Sequence, residues 1–446
     1  MHLLETGSYK ILVDCGLDYE RETRLEENEF FPFNPSEIDV VLLTHAHIDH
    51  SGNLPTLVRM GFEGQVLCTP PTADLTELLL FDSVNIFLSR QQRSRSRKKR
   101  SSSDFRPLYL QKHVQETVSR FVTIGFNKPF QLNGSVSVTF IPAGHLLGAA
   151  SIVLTVNEQG IEKKIAFTGD LGRKNYPVII DPEALPQVDY LVCESTYGGR
   201  SHSTDKTIEE TLVEVIADSC VKTPGRLIIP AFSIGRTQAL VYSLNRIFEK
   251  RLLPKIKVFV DSPLANYATD VFKKYRQQLR EDARYFYQPD EDAEFENLSY
   301  VQNLEDSREI SNFFEPCIIV SSAGMLEGGR IQDHLYNNIH NYYCTILFIG
   351  YCAKGTLGNR LLRGDPVVKL RNRELSVYAA IKQTDLFSGH ADHNGLVYFV
   401  KQQDAEKLKQ IFLVHGEPHS MDALSESLGE DGYKVSIPEQ GQVFEL

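Results

Sequence analysis

Four side chains able to hold a metal ion fall within six positions of the segment "THAHIDH" at 44–50: His45, His47, Asp49 and His50. Histidine is scarce, thirteen in 446 residues, so this density asks for a reason. Side chains at i and i+2 do not face one another on an α-helix, so His45 and His47 can converge only from an irregular loop, with a helix beginning near His50 to fix its orientation. Nitrogen and carboxylate donors without thiolate suit zinc, manganese or iron. Four donors from so short a segment exceed what one catalytic ion usually takes from the protein, which points to two ions. A two-ion site needs a bridging carboxylate and further ligands from distant strands. His145 in "IPAGHLLG", Asp170 in "FTGDLG" and His415 in "FLVHGE" are the candidates. Each follows an apolar run and adjoins a glycine, where the chain can turn tightly. Taken singly, each reads more readily as a turn or cap residue; the metal reading rests on their conjunction.

The elements that must position these groups are short and apolar. "KILVDCG", "DVVLLTH", "SVTFIPAGH" and "KIAFTGD" read as buried strands ending at a polar residue or glycine. Helical patterns lie between them, as in "NLPTLVRMGF" and "LQKHVQETVSRF". From about residue 190 strands alternate with helices, as in "RLIIPAFSIGRTQALVYSLNRIFEK", which predicts a parallel, doubly wound α/β unit. A charged, strand-poor stretch at 277–312 predicts helices and loops, and strands resume from about 372.

A chain of 446 residues predicts two or three domains, and 42% hydrophobic with 24% charged residues excludes a disordered protein. Nothing apolar is long enough for a transmembrane helix, and the N-terminus lacks the features of a signal peptide. Seven scattered cysteines without a C-x-x-C pair argue against a cysteine zinc site and for a reducing, cytoplasmic compartment. The net charge of −11 disfavours non-specific nucleic-acid binding, but "RQQRSRSRKKR" at 90–100 reverses it locally. That stretch reads as a solvated loop or as a phosphate-attracting arm, and composition does not separate the two.

"THAHIDHSG" is the H-x-H-x-D-H signature of the metallo-β-lactamase fold, and Asp14 in "ILVDCG" resembles its preceding aspartate motif. "CESTYGG" at 193–199, "DLFSGHADH" at 385–393 and "LVHGE" at 413–417 resemble motifs A, B and C of the β-CASP branch. "IPAFSIGRTQALVYSLN" and "SSAGMLEGGRI" are similar to other β-CASP segments, so the likeness covers nearly the whole chain. The nearest likeness is to bacterial relatives of the cleavage and polyadenylation endonuclease subunit.

The resemblance implies an α/β architecture: an αββα metallo-β-lactamase sandwich with an inserted β-CASP α/β domain, divided as 1–193, 194–371 and 372–446. Its active site would lie in the cleft between the domains. It implies two Zn²⁺ ions per chain, one held by His45, His47 and His145, the other by Asp49, His50 and His415, with Asp170 bridging. Asp14 would hydrogen-bond the ligand loop without touching metal. A zinc pair would acidify a water and neutralise charge on a phosphodiester. His390 of motif B would then protonate the leaving oxygen or stabilise the phosphate, its ring oriented by Glu194 of motif A, with Asp14 and Asp49 completing the catalytic set. Ser195, Thr196, Ser233, Arg236, Ser322, Gly324 and Arg330 are candidate contacts to the substrate backbone. They read equally well as caps and surface ion pairs. His113, His202, His334, His340, His393 and His419 read as structural or solvated.

Met1 stands where the family's first strand and glycine-rich turn would lie, which would leave a neighbouring strand unpaired. No additional RNA-binding domain is legible. The histidine of motif C goes with RNA-acting members, so the expected activity is hydrolysis of single-stranded RNA, endonucleolytic and also 5′-exonucleolytic. Competing readings are a DNA nuclease of the repair branch, a small-ester or thioester hydrolase, and a catalytically silent scaffold; the last would have lost ligands that are all present here. Many members dimerise, so a homodimer is expected, although no interface is legible.

Overall fold

The computed structural model describes residues 1–17, 28–96, 106–202, 205–288 and 295–446. The chain forms two compact units, one of Met1–Asn175, Ile180–Ser201 and His390–Leu446, the other of Tyr176–Ile179 and His202–Gly389. Among the described residues no helix is long and apolar enough to cross a membrane.

The first unit is built on two sheets. One has the order His2–Thr6, Tyr9–Val13, Val40–Leu42, Gln65–Cys68, Phe121–Thr123, with His2–Thr6 at its edge and antiparallel to its neighbour. The other runs Val435–Ser436, Gln410–Val414, Tyr190–Glu194, Ile161–Phe167, Ala150–Glu158, Val136–Pro142, Phe130–Gln131. Successive side chains point to opposite faces and both faces are covered, which explains why short runs such as "ILV" at 11–13 are apolar throughout. Ile11, Val13, Val40 and Leu42 pack into the core shared with Val138, Phe140, Ile152, Leu154 and Ile165 of the second sheet. Leu12, Val41 and Leu43 face the other way, onto Leu54, Leu57 and Val58 of the helix Leu54–Arg59. Beyond the second sheet lie the helices His393–Val400 and Pro418–Glu430, whose Leu396, Leu424 and Leu428 are fully buried. The result is the helix–sheet–sheet–helix layering expected from the sequence.

The second unit carries one six-stranded sheet in the order Leu298–Tyr300, Lys257–Asp261, Cys317–Ser321, Arg226–Pro230, Cys344–Phe348, Ala380–Gln383, parallel throughout. Ile228, Ile319 and Ile346 meet Ile331, Leu335 and Leu361 on one face. The alternate residues Leu227, Ile229, Val258 and Val260 are equally buried, so both faces are covered.

The units divide at 201/202 and 389/390, and Ala380–Gln383 pairs with Cys344–Phe348 and so extends the inserted sheet. Among its described residues the stretch 277–312 holds one short strand, Leu298–Tyr300, at the edge of that sheet. One expectation needs correction: the basic segment at 90–100 is not wholly a loop. Its first part, to Ser96, closes the helix Pro70–Ser96, and 97–100 lie outside the described residues.

Candidate metal centre

Every candidate ligand sits just past the end of a strand in the first unit. Asp14 follows Tyr9–Val13, Thr44 and the histidine turn follow Val40–Leu42, Asp170 follows Ile161–Phe167, and His415 follows Gln410–Val414. His145 lies in the turn between Val136–Pro142 and Ala150–Glu158. The helix after the histidine turn is Ile48–Ser51, capped by His47, so it starts earlier than expected and places His50 in its own turn. Asp14 and His415 adopt left-handed backbone conformations, φ 59° and 53°, a cost that recurs where a side chain must be aimed at a site. Gly169, at φ 56°, lets the Asp170 turn lie against Thr44; a Cβ there would be 2.7 Å from that residue's Cβ.

The ligand atoms form two groups around Asp170. His45 Nε2 and His145 Nε2 each lie 3.1 Å from His47 Nδ1 and 3.5 Å from Asp170 Oδ2. On the other side, His50 Nε2 is 3.2 Å and His415 Nδ1 3.3 Å from Asp170 Oδ1, while His415 Nε2 is 3.5 Å from Asp49 Oδ2. The first group is buried. The second is open, with the Asp49 and His415 side chains 44% and 36% exposed. Asp14 reaches this group only through the outer nitrogen of His50, not through a metal-facing atom. Its Oδ1 accepts the Thr44 amide at 2.8 Å, and its Oδ2 accepts the Thr44 hydroxyl at 2.9 Å and pairs with His50 Nδ1 at 2.7 Å. That bond fixes the His50 ring and leaves Nε2 toward Asp170. Beside these residues a cavity of about 160 Å³ is lined by Asp14, Thr44, Asp49, His50 and His415, with His2 and Phe167.

The electrostatics fit a cation at both groups. Burial holds His45 and His47 below the ordinary histidine range, His47 at about 4, so both imidazoles are neutral donors at physiological pH. Burial also opposes charge on His50, but Asp170 and Asp14 outweigh it and raise that group well above its usual value. The negative charge of Asp170 raises His415 to about 9 against its burial. Asp170 and Asp49 resist the upward push of burial because these imidazoles hold their carboxyls down. Protons here occupy the place a divalent cation would fill. His50 Nε2 and Asp170 Oδ1 are moreover buried and 3.2 Å apart without forming a well-directed hydrogen bond, an arrangement that suits two ligands of one ion. Nitrogen and oxygen donors alone are the ligand set of zinc and its neighbours.

Next to the first group stand Glu194 and His390. Glu194 is 1% exposed. Its Oε1 accepts the Leu171 amide at 2.7 Å and lies 3.2 Å from His390 Nδ1, while Oε2 accepts the Thr196 amide at 3.1 Å. Burial pulls His390 down, but Glu194 and Asp170 together raise it above the ordinary histidine value.

Comparison with known proteins decides the family. The metallo-beta-lactamase superfamily profile matches residues 1–230, the Beta-Casp domain 237–361, and the Zn-dependent metallo-hydrolase RNA specificity domain 374–438. The chain belongs to the β-CASP branch of the metallo-beta-lactamase superfamily. Similar proteins include Ribonuclease TTHA0252 of Thermus thermophilus, 29% identical over 99% of this chain and 95% of the relative. Transcription termination factor FttA of Methanococcus maripaludis is 30% identical over 93% of the chain, which spans 64% of that factor. Endoribonuclease YSH1 of Candida glabrata is 28% identical over 96% of the chain, which spans 54% of that protein. A crystal structure of a protein of unknown function from Enterococcus faecalis V583 shares the fold, with TM-score 0.53 and 13% identity over 99% of this chain and 95% of that one.

In this β-CASP chain the substrate candidates fare unevenly. Ser195 is fully buried and donates to the Val414 carbonyl at 2.7 Å, and Thr196 donates to the His415 carbonyl at 3.0 Å. Both brace the motif loops; Ser195 is shut off from solvent, while Thr196 is half-buried. Arg330 is turned into the second unit, where it pairs with the fully buried Asp261 at 2.6 Å and donates to the Val301 and Gln302 carbonyls. It is therefore a structural cation, not a surface one. His334 and Ser307 complete the same carboxylate at 2.7 and 2.6 Å. Ser233 and Ser322 remain together, each within hydrogen-bonding distance of the Ser262 hydroxyl (3.3 and 3.1 Å), at the carboxyl ends of adjacent strands. Gly324 packs on Phe232, over whose ring Arg236 lies at 4.7 Å. Thr44 was not singled out from sequence, yet it joins Asp14 to His45 through a 3.1 Å contact to His45 Nδ1. Its position at the head of the histidine turn was the available signal.

Proposed function

We propose that the chain is a di-zinc ribonuclease that hydrolyses phosphodiester bonds of single-stranded RNA, endonucleolytically and also from 5′ ends. The observation that carries this reading is the carboxylate of Asp170, one oxygen directed to each group of histidines. RNA as substrate is supported by the names of its relatives and by the RNA specificity profile at 374–438. His45, His47 and His145 would hold one zinc, Asp49, His50 and His415 the other, with Asp170 shared. Zinc bound there supplies an acidified water and neutralises charge on the phosphoryl oxygens.

The remaining chemistry falls to the chain itself. The departing alkoxide needs a proton, and His390, kept charged by Glu194 and Asp170, supplies it. Its Nδ1 is engaged by Glu194, so Nε2 delivers the proton. Ser233, Arg236, Ser322 and Gly324 bind the backbone of the substrate, and Thr44 and Asp14 keep the ligand turn in place. The test is cleavage of a 5′-labelled single-stranded RNA, beside DNA of the same sequence, by zinc-loaded protein. Two zincs per chain and RNA products ending in 5′-phosphate are expected, with Asp170→Asn abolishing both. His390→Ala should retain zinc and lose about 10²- to 10⁴-fold in rate, the usual worth of a general acid. Cleavage of DNA alone, or none by the zinc-replete protein, would overturn the assignment.

A further inference from the structure

His393 lies three positions beyond His390, and nothing in the chemistry above uses it. Its backbone N–H donates to the Arg200 carbonyl at 2.9 Å. Its Nδ1 accepts the Gly199 N–H at 2.9 Å, and its Nε2 lies 3.1 Å from the Ser427 hydroxyl. The ring thus ties three elements: the loop after Glu194, the helix His393–Val400 that it begins, and the helix Pro418–Glu430. The same loop is anchored at its other end by the groups that matter chemically. The Thr196 amide holds the second oxygen of Glu194, and the Thr196 hydroxyl holds the His415 backbone. Between the two anchors, the Tyr197 ring lies 6.0 Å from the ring of His390.

The loop has no regular secondary structure to stiffen it. Its internal bonds are the turn contacts Gly198 N–H to Ser195 O and Arg200 N–H to Tyr197 O, each 3.0 Å. A loop so built keeps its shape only if its far end is fixed from outside. Accepting the Gly199 amide also requires an unprotonated Nδ1, which leaves the ring proton on Nε2 to be donated to the Ser427 hydroxyl.

We infer that His393 is a positioning residue for the reaction: by clamping the Gly199–Arg200 end of the motif A loop, it holds Glu194 in register with His390. This rests on the phosphodiesterase reading for its kinetic consequence, but the clamp itself does not. Geometry errors of about 1 Å at a reacting centre cost on the order of a hundredfold in rate. A lost clamp that lets the loop shift by part of that distance should lower kcat about tenfold or more.

The test compares three full-length variants: His393→Leu, which fills the space without an acceptor; His393→Asn, whose Oδ1 can replace Nδ1; and Ser427→Ala, which releases the far side of the ring. Zinc content, kcat and KM on labelled RNA, and hydrogen exchange of the 195–200 amides are measured on each. The expected result is unchanged zinc and KM, with faster loop exchange and about a tenfold lower kcat in His393→Leu, and recovery of both in His393→Asn. Wild-type kcat in His393→Leu, or a fall in kcat without faster loop exchange, would overturn the proposal. Should His393→Leu not fold, Ser427→Ala decides in the same way with a smaller effect. If the wild-type protein cleaves no RNA, the functional reading fails separately, and unchanged exchange in the variants would sink the clamp as well.

Discussion

Replacing Asp14 by Asn isolates what a carboxylate does at one remove from the metals. The backbone should not object, since Asn tolerates the left-handed φ of 59° found there as well as Asp does. The Thr44 amide bond of 2.8 Å can survive on the Asn carbonyl. The other oxygen becomes an NH₂ group, which faces His50 Nδ1 at 2.7 Å and must donate to it. His50 then carries its proton on Nε2, pointed at Asp170 Oδ1 3.2 Å away, and ceases to be a metal ligand. Losing such an outer partner typically weakens metal binding about tenfold to hundredfold, or about 1.4 to 2.8 kcal/mol. The loss should fall on the Asp49–His50–His415 group only, because His45, His47 and His145 make no contact with Asp14 through their metal-facing nitrogens. Competition of zinc against a chelator of known affinity should therefore resolve one tight site like that of the wild type and one weakened site. Two wild-type affinities in Asp14→Asn would refute the tautomer argument, and equal weakening of both would refute its confinement to one group.

Other outcomes follow from the same coordinates. Zinc binding to the metal-free protein should release protons between about pH 6.5 and 9, because His415 is raised to about 9 and must lose its proton to coordinate; a binding enthalpy independent of the buffer's ionisation enthalpy would contradict this. Without metal, the stability contributed by His415 is complete below pH 6.5 and is lost as pH rises through about 9, so the metal-free protein should lose thermal stability over that window. Arg330→Ala should cost about 3 to 5 kcal/mol by leaving Asp261, fully buried, without its cation, read as a fall in the denaturant midpoint; a change under about 1 kcal/mol would show that His334 and Ser307 suffice. Gly169→Ala should push Thr44 and Asp170 apart, lowering zinc content together with stability by about 1 to 3 kcal/mol, and full zinc occupancy would argue against the close approach.

The metal ligands were legible because their chemistry is local. A strand, a glycine and a donor side chain announce themselves within a few residues, and the structure places the candidate donors His45, His145, Asp170 and His415 near one another. What the sequence hid was long-range. Arg330 reads equally as a phosphate contact or an ion pair, but its partner Asp261 is 69 positions away and only the folded sheet shows the pair. His393 reads as structural or solvated, without a partner, because Gly199, 194 positions earlier, gives no sign in sequence that its amide needs an acceptor. A related limit holds at 367–383, where hydrophobic runs reveal strands but not which sheet they join.

The order in which the chain is made acquires a meaning from these separations. His45, His47, His145 and Asp170 are all present once residue 170 has been synthesised, so the buried group can take its ion early. Glu194 and its strand then wait for Gln410–Val414, the partner that covers the strand's open side in parallel register. Until then Tyr190–Glu194 offers an unsatisfied edge to any neighbouring polypeptide, and the nascent molecule lacks both His390 and His415. A ribosome-bound chain halted before residue 390 would hold the first candidate ligand group but neither the proposed acid nor a complete second group. On the proposed reading, both arrive only with the last stretch of chain, which also brings the strand that covers the open edge of Tyr190–Glu194.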